Sequence, residues 1–529
     1  MTKIKQRILL FFLFSFSLYC ALTIGQSWDE ASHLDQGKIT LDYLFSLGRI
    51  DNDIIYRENY SSIYWSFQYI FTKIFPVEYK IQASHLVNLV FSLATIFGIG
   101  KISKILFDKK IGNIVFLILF FFPIFFGHMG FNNKDTILAF GHVWITYYAI
   151  EYLRKQNVVS KINKKIIYIG ILAAVSTGIQ LVFLGSLIPI FLFIIVEIFY
   201  AKKIICNNFK IKKFIFDLFK TFIIFYIFLI FYWIDAHPNI LTLPYNFFMG
   251  TFSSTFLTGW PYNLVNGDYF ISSEVPKFYF IINFIYKAPE YILFTYLLFI
   301  FLYIKKNIFF KNRFKFFNYK ISIFFIILIY PDLISLIIPY PLYDGLRLFL
   351  WSIPYFCIIP ALTIYYLIEN FKFKSIKIVT SILTFLIFIF LYNFFSITPY
   401  QYTYLNSLNG EIHKRYQKFE GDYWASSLKE LFKKSSFEKN NTLNFSTCGA
   451  DNGIAKKYLQ KNGYYNIDFV QPKNAEYIVM TNRLGSEENN KNKTPKLTNC
   501  FEKYSGKDIF KVERNGLPLS IIRQIKLEK

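Results

Sequence analysis

The 529 residues contain no CxxC pair and no Cys/His spacing of the kind that holds zinc. That absence removes a zinc-stabilised domain as an explanation of the chain. Cysteine itself is sparse, with five copies. Cys20 and Cys357 fall in apolar segments and Cys206 in a basic loop, where an inert thiol is expected. Cys448 and Cys500 lie in the polar last part and can pair if that part faces an oxidising space. Glu30 and His33 have half of a metalloprotease spacing but lack the preceding histidine of HExxH. The amino terminus, "MTKIKQRILLFFLFSFSLYCALTIGQS", has the build of a signal peptide without a small-x-small cleavage site. Tyr19 before Cys20 also spoils a lipoprotein box, so the segment reads as a retained anchor.

Acidic residues are few, 34 against 58 Lys and Arg. What abounds is hydrocarbon: 54% of residues are hydrophobic and 21% aromatic. The excess comes in blocks, which makes the chain a polytopic membrane protein. A spanning helix needs about 17–25 predominantly apolar residues. Candidate spans are 8–25, 81–100, 111–127, 137–152, 166–182, 184–200, 219–234, 289–304, 321–338, 348–368 and 376–397. The fifth and sixth form one apolar block divided near Gly185 and Ser186.

The net charge of +24 acquires a meaning once the lysines are located. Lys3, Lys5 and Arg7 precede the first span; Lys101, Lys104, Lys109 and Lys110 fill the second connection; Arg154, Lys155, Lys161, Lys164 and Lys165 fill the fourth. Further basic clusters follow the sixth and eighth spans and separate the last two. Every second connection is basic, so these face the cytoplasm. The charge is topological, and nucleic acid is not an expected partner. The other connections, 26–80, 128–136, 235–288, 339–347 and the tail from 398, are then extracytoplasmic. They hold nearly all the non-terminal acids and the His-, Gly- and Pro-containing clusters, so chemistry belongs on the outer face.

The expected fold is mainly α, with about eleven transmembrane helices, amino terminus inside and carboxyl terminus outside. Residues 1–397 form the membrane domain and 398–529 a small soluble α/β domain. In that tail "GDYWASSLKELFKK" has helical spacing, and "NTLNFSTC", "YNIDFVQ" and "EYIVMTN" read as strands, with a helix-like "NGIAKKYLQKNG" between the first two.

Three outer stretches carry candidate chemistry. In "SWDEASHLDQG", Ser27 and Glu30 have the spacing of a capping box, and the helix dipole favours Asp29 at a helix start. Leu34, Ile39, Leu41, Leu44, Phe45 and Leu47 then suggest an amphipathic helix lying on the surface. "GHMGFNNKDTILA" packs His128, Asn132, Asn133, Lys134 and Asp135 into one short turn. Lys134 stands out because lysine is depleted on that side, although Lys-Asp neighbours also form local ion pairs. In "YPLYDGLRLFL", Arg347 sits where a short loop meets an apolar helix. It suits either interfacial anchoring or bidentate binding of phosphate.

These stretches, taken in order, resemble the GT-C superfold glycosyltransferases, in particular the dolichyl-phosphate-mannose–protein mannosyltransferases and their bacterial relatives. "SWDEASHL" resembles the Asp-Glu motif of the first outer loop, and "GHMGFNNKDTILA" the GHS-x-x-NPKD-x-x-x-A motif. "LVNGDYFISSEVPKFYFIINFIYKAPEYIL" resembles the later outer segment. "YPLYDGLRLFL" resembles YDG-x-RHFLF, and "PYQYTYLNSLNG…FEGDYWASSLKE" the HPY-x-Y-x-YFN…FE-x-DYWG segment. Departures are Asn133 for the usual proline, Leu348 for histidine and Ala425 for glycine.

The resemblance implies a polyprenyl-phosphate-linked sugar donor, used on the outer side of a bacterial-type inner membrane with inversion of the anomeric carbon. The acceptor is a protein, lipid or glycan hydroxyl. It assigns Asp29 as general base, and Lys134 and Arg347 to the departing phosphate. Glu30 holds the loop or orients the acceptor, and Asp135 orients Lys134 or the acceptor, with His128, Tyr343 and Asp344 as further substrate contacts. Trp28, Trp65, Trp260 and Tyr262 either stack on sugar or belong to the interfacial belt. No cofactor is firmly implied. His33, His128, His237 and His413 map outside and leave a divalent ion open, but no ligand spacing supports a metal site. Two alternatives remain. A lipid-sugar flippase would need internal repeats and mid-membrane ionisable groups, of which only His85, His142 and Asp332 are candidates. A non-catalytic glycolipid-binding assembly subunit would have no need of Asp29.

Overall fold

The computed structural model describes residues 3–49, 60–156, 164–250, 259–338, 340–438, 442–486 and 497–525. Lys161 and parts of three of the connections expected to be extracytoplasmic (50–59, 251–258 and 339) lie outside the described residues. The chain opens with α1 (Lys3–Thr23), a 21-residue helix without glycine or proline. α2 (Glu30–Phe45) and α3 (Ile63–Thr72) follow, then α4 (Lys80–Leu106), α5 (Lys109–Phe120), α6 (Pro123–His128), α7 (Asp135–Arg154) and α8 (Lys164–Ile179).

Among the described residues six helices are long and apolar enough to cross a membrane: Ile4–Thr23, Val77–Leu106, Phe183–Ala201, Ile211–Phe231, Phe317–Ile337 and Lys374–Ser396. A seventh is present if Tyr279–Lys287 and Glu290–Lys305, bent by 115°, count as one span. The other expected spans are helical but short, broken or interrupted by polar groups. Span 111–127 breaks where Pro123 begins α6, since proline cannot donate into the preceding turn. α7 carries His142, Thr146 and Glu151. The apolar block divides at 180–182, a few residues before the expected point. Span 348–368 begins as a 3-10 turn, Arg347–Phe349, and continues as Ile353–Glu369. That helix is buried on almost every side, which is where an all-round apolar helix belongs. Around it, large side chains such as Phe216, Phe219, Phe385 and Phe388 stay more than half exposed, the surface an integral membrane protein offers to lipid.

α2 is amphipathic as the spacing suggested, with Leu34 and Leu41 packed against Tyr69 while Phe45 and Leu47 stay exposed. The capping box forms only in part. Asp29, not Ser27, occupies the N-cap position, and its side chain makes no capping bond. Glu30 does reach back, accepting from the Ser27 backbone N–H at 2.7 Å.

A hairpin, β1 (Tyr262–Val265) with β2 (Asp268–Ile271), lies in the 235–288 connection. The tail contributes β3 (Leu443–Cys448), β4 (Ile467–Phe469), β5 (Tyr477–Thr481), β6 (Leu484–Ser486), β7 (Leu497–Asn499), β8 (Lys507–Arg514) and β9 (Leu517–Gln524). Five of them form a sheet in the order β4-β3-β5-β9-β8, parallel among the first three and antiparallel beyond. The helix Asn452–Lys461 connects β3 to β4, started by Asp451, whose carboxylate accepts from Ile454 N–H. Cys448 and Cys500 are joined by a disulfide, with Cα atoms 5.6 Å apart.

The segment before this sheet is stitched into the helical part. The Lys429 ammonium reaches the carbonyls of Leu22, Thr23 and Ile24 at 3.0–3.3 Å, satisfying the free end of α1. Tyr402, Tyr423 and Trp424 share one apolar cluster with Ile24 and Phe131.

Candidate active site

The ends of α1, α2 and α7, the Tyr343–Arg347 turn and the start of β6 converge on one polar cleft. Asp29 and Glu30 are neighbours with opposite fates. Glu30 is fully buried, and its second oxygen lies 2.8 Å from His85 Nε2. His85 Nδ1 lies 2.7 Å from the Ala21 carbonyl. The ring therefore bridges the Glu30 carboxylate and the end of α1, with both contacts buried. Through this contact Glu30 braces α1 against α4.

Asp29 is instead exposed to the cleft. Burial by the surrounding walls raises its pKa, but His33, Arg347, Lys134 and Arg483 outweigh it and hold the carboxyl below the usual range. His33 is one turn along α2. It is stacked on Trp65 with ring centroids 4.1 Å apart, and its Nδ1 meets Asn133 Oδ1 at 2.8 Å. Burial pushes His33 down to about 4 against the pull of Asp29, so the ring is neutral near pH 7. The standing attraction on Asp29 at that pH comes from the arginines and the lysine. Asn133, which departs from the proline of the resembled motif, also donates to Gln68 and accepts from Trp65 Nε1. Trp65 is thus a buried support and not a sugar platform.

Lys134 is the N-cap residue of α7. Asn132 Oδ1 accepts from the backbone N–H groups of Lys134 and Asp135, which turns the chain sharply enough to aim both side chains. The ammonium donates to Tyr60 at 3.0 Å. Burial opposes its charge, but Tyr60, Tyr343 and Asp135 outweigh this and hold its pKa above the ordinary value. Among the described residues Lys134 and Asp135 form no ion pair with one another. Asp135 instead lies 3.6 Å from Arg347 Nε.

Arg347 is buried, with Asp344 at 3.4 Å and the rings of Tyr343 and Trp424 at 5.1 and 4.6 Å. Asp344 and Gly345 both adopt left-handed backbone, with φ of 56° and 63°. A side chain at Gly345 would also strike Lys287 Nζ. This turn places the Asp344 carboxylate between two guanidinium groups, Arg347 and Arg483, the latter at 3.3 Å. His128 is not a substrate contact here. It is wholly buried, with Nε2 on the Tyr423 hydroxyl at 2.7 Å and Nδ1 facing Asn132, so both nitrogens are taken.

Arg483 was not legible in the sequence, since it follows β5 in the tail with no motif around it. Its guanidinium stacks on Trp260 at 4.1 Å and Trp28 at 4.9 Å, and it donates to the Tyr423 carbonyl. Trp28 precedes Asp29, so the tail grips the loop that carries the free acid. Cys500 N–H bonds to the Arg483 carbonyl at 2.9 Å, which sets the disulfide directly behind it. Nearby, burial pushes the Glu420 carboxyl up to about 7 against the pull of Arg483. Among the described residues no group of three or more His, Cys, Asp or Glu is arranged to hold a metal ion.

An apolar cavity of about 320 Å³ adjoins this cleft, lined by Leu138, Phe183, Tyr330, Tyr340 and Leu348 among others. Leu138 is one turn below Lys134 and Leu348 follows Arg347, so greasy walls lead up to the two cations. Gln180 donates to the Tyr340 hydroxyl at 3.1 Å on its wall.

A bundle of this helix order with a polar cleft at one end has the GT-C fold. Two solved structures carry that identification. The crystal structure of ArnT from Cupriavidus metallidurans in the apo state aligns with a TM-score of 0.51 and 11% identity, covering 98% of each chain. The same protein bound to undecaprenyl phosphate aligns with a TM-score of 0.50 and 10% identity over 100% of each. No family model and no curated relative matches the sequence.

Proposed function

We propose that this protein is an inverting glycosyltransferase that moves a sugar from a polyprenyl-phosphate carrier to an acceptor hydroxyl on the outer face of the membrane. One observation carries the reading: Asp29, ionised and open to the cleft, faces Lys134 and Arg347 where an apolar cavity meets them. An acceptor hydroxyl needs a carboxylate to take its proton as the new bond forms. The leaving lipid phosphate gains charge as the glycosidic bond breaks, and fixed cations stabilise that charge most in the transition state. The proton passes from the acceptor to Asp29, and the bond pair departs with the phosphate. Direct displacement inverts the anomeric carbon.

The cavity has the chemistry for a prenyl chain, and ArnT of the same fold has been seen with undecaprenyl phosphate. Tyr343 and Asp344 shape the Arg347 side of the site, and Asp135 holds Arg347. Trp28 and Trp260 steady Arg483 and leave little ring face for sugar. The Cys448–Cys500 disulfide and the alternation of basic loops support an outer, oxidising location for the cleft and the tail. We assign 1–397 as the catalytic membrane domain and 398–529 as the extracytoplasmic domain, the latter lending Arg483.

The test is consumption of a polyprenyl-phosphate sugar by purified wild type and Asp29→Asn. A loss of about 100-fold or more is expected for the variant, within the usual range for removing a general base. Undiminished turnover would remove Asp29 from the role. No turnover of any such donor by wild type would overturn the enzymatic reading.

A further inference from the structure

At the opposite end of the bundle from the active-site cleft, α1, α4 and α5 enclose a groove of about 480 Å³. Its floor exists because α4 and α5 cross closely at two glycines: a side chain at Gly112 would lie 2.6 Å from the Gly100 carbonyl. Apolar walls come from Leu9 and Leu10 of α1 and from Phe97, Phe116 and Leu117. Lys101, Lys104 and Lys109 stand at the rim with Asn113 and Gln6, and no acidic residue lines the groove. Lys101 and Lys104 are three apart on α4 and so share a face. Lys101 is steadied over the Trp144 and Tyr147 rings at 5.0 and 5.4 Å and has no ion pair among the described residues. Lys104 and Lys109 are exposed and have no ion pair among the described residues. By contrast Lys110, the next residue, is engaged by Glu369.

Lysines at a membrane face are ordinary. Here three of them surround an apolar slot between spanning helices, which combines attraction for a phosphate with a place for the adjoining acyl chains. We propose that this groove is a binding site for an anionic glycerophospholipid, with the headgroup phosphate between Lys104 and Lys109 and the acyl chains along Leu9, Phe97 and Phe116. A bound lipid there would clamp the lower end of α1, whose upper end leads into Asp29.

The test is native mass spectrometry of the detergent-purified full chain titrated with phosphatidylglycerol or phosphatidylethanolamine. Wild type is expected to retain phosphatidylglycerol at concentrations at least about tenfold below those needed for phosphatidylethanolamine. Lys104→Gln with Lys109→Gln should weaken retention roughly 30-fold, the effect of two lysines near a charged surface. Asn113→Trp fills the slot with every charge intact and should weaken it as well. Lys372→Gln with Lys374→Gln removes two exposed lysines outside the groove and should change nothing. Equal retention of the two lipids, full binding by Asn113→Trp, or an equal loss in the Lys372/Lys374 control would each overturn the proposal. None of these readouts depends on the glycosyltransferase reading.

Discussion

Among the places where one carboxylate stands between two cations, two make an instructive contrast. In the cleft, Asp344 stands between Arg347 and Arg483, all three buried. At the far end of the bundle, Glu369 stands between Lys110 and Arg313 at 2.5 and 3.8 Å, with the lysine 63% exposed and the acid 24%. The exposed trio has the shortest contact, yet water competes for each of its charges and contributes most of what the partners offer. The buried trio has looser contacts but no water to fall back on, so each charge depends on the others. Contact distance is therefore a poor guide to importance here, and burial is the better one.

Removing a central acid tests this contrast most severely. Asp344→Asn should cost about 3–5 kcal/mol of stability, since it leaves the buried Arg483 guanidinium without its carboxylate and Arg347 with Asp135 alone. Asparagine tolerates left-handed backbone well, so the loss measures charge and not strain. Denaturant unfolding of the purified protein would read it, and a near-neutral result would collapse the distinction. Next in size, Cys448→Ser with Cys500→Ser should lower stability by about 2–4 kcal/mol. It should also raise hydrogen exchange around Arg483, because the bridge backs that residue.

Arg483→Gln sharpens the comparison in a different way, through pH. Arg483 is one of the cations that hold Asp29 below the usual carboxylate range. Without it the Asp29 pKa rises, the base is protonated at a higher pH, and the acidic limb of the kcat/KM profile moves up. A limb that stays in place would show that Arg483 is structural only. The smallest effect belongs to Glu369→Gln, whose melting temperature should match wild type. A clear drop there would mean that the exposed trio matters after all.

Much of this site was legible along the chain because its main groups cluster locally. Asp29 with Glu30, Lys134 with Asp135, and Tyr343 to Arg347 each occupy one short stretch, flanked by apolar runs that announce them. Their partnerships were less legible. Asp135 was expected to serve Lys134 and instead faces Arg347, and His128 was expected to meet substrate and is sealed by Tyr423. In both cases a residue more than two hundred positions away decides the matter. The helix count suffers similarly: a window of hydropathy cannot see that Pro123 breaks one apolar run or that Ile353–Glu369 is walled in by other helices.

By itself the sequence determined that this chain lives in a membrane, which of its connections are basic, and which short stretches hold acids and cations fit for group transfer. Those properties are local, since hydrophobic runs and charge placement act within a few residues of where they are written. Only the tertiary structure decided that Glu30 is spent on His85 while Asp29 stays free, and that Arg483 from the tail closes the cleft. Both outcomes depend on which distant side chain the packing sets beside a buried charge.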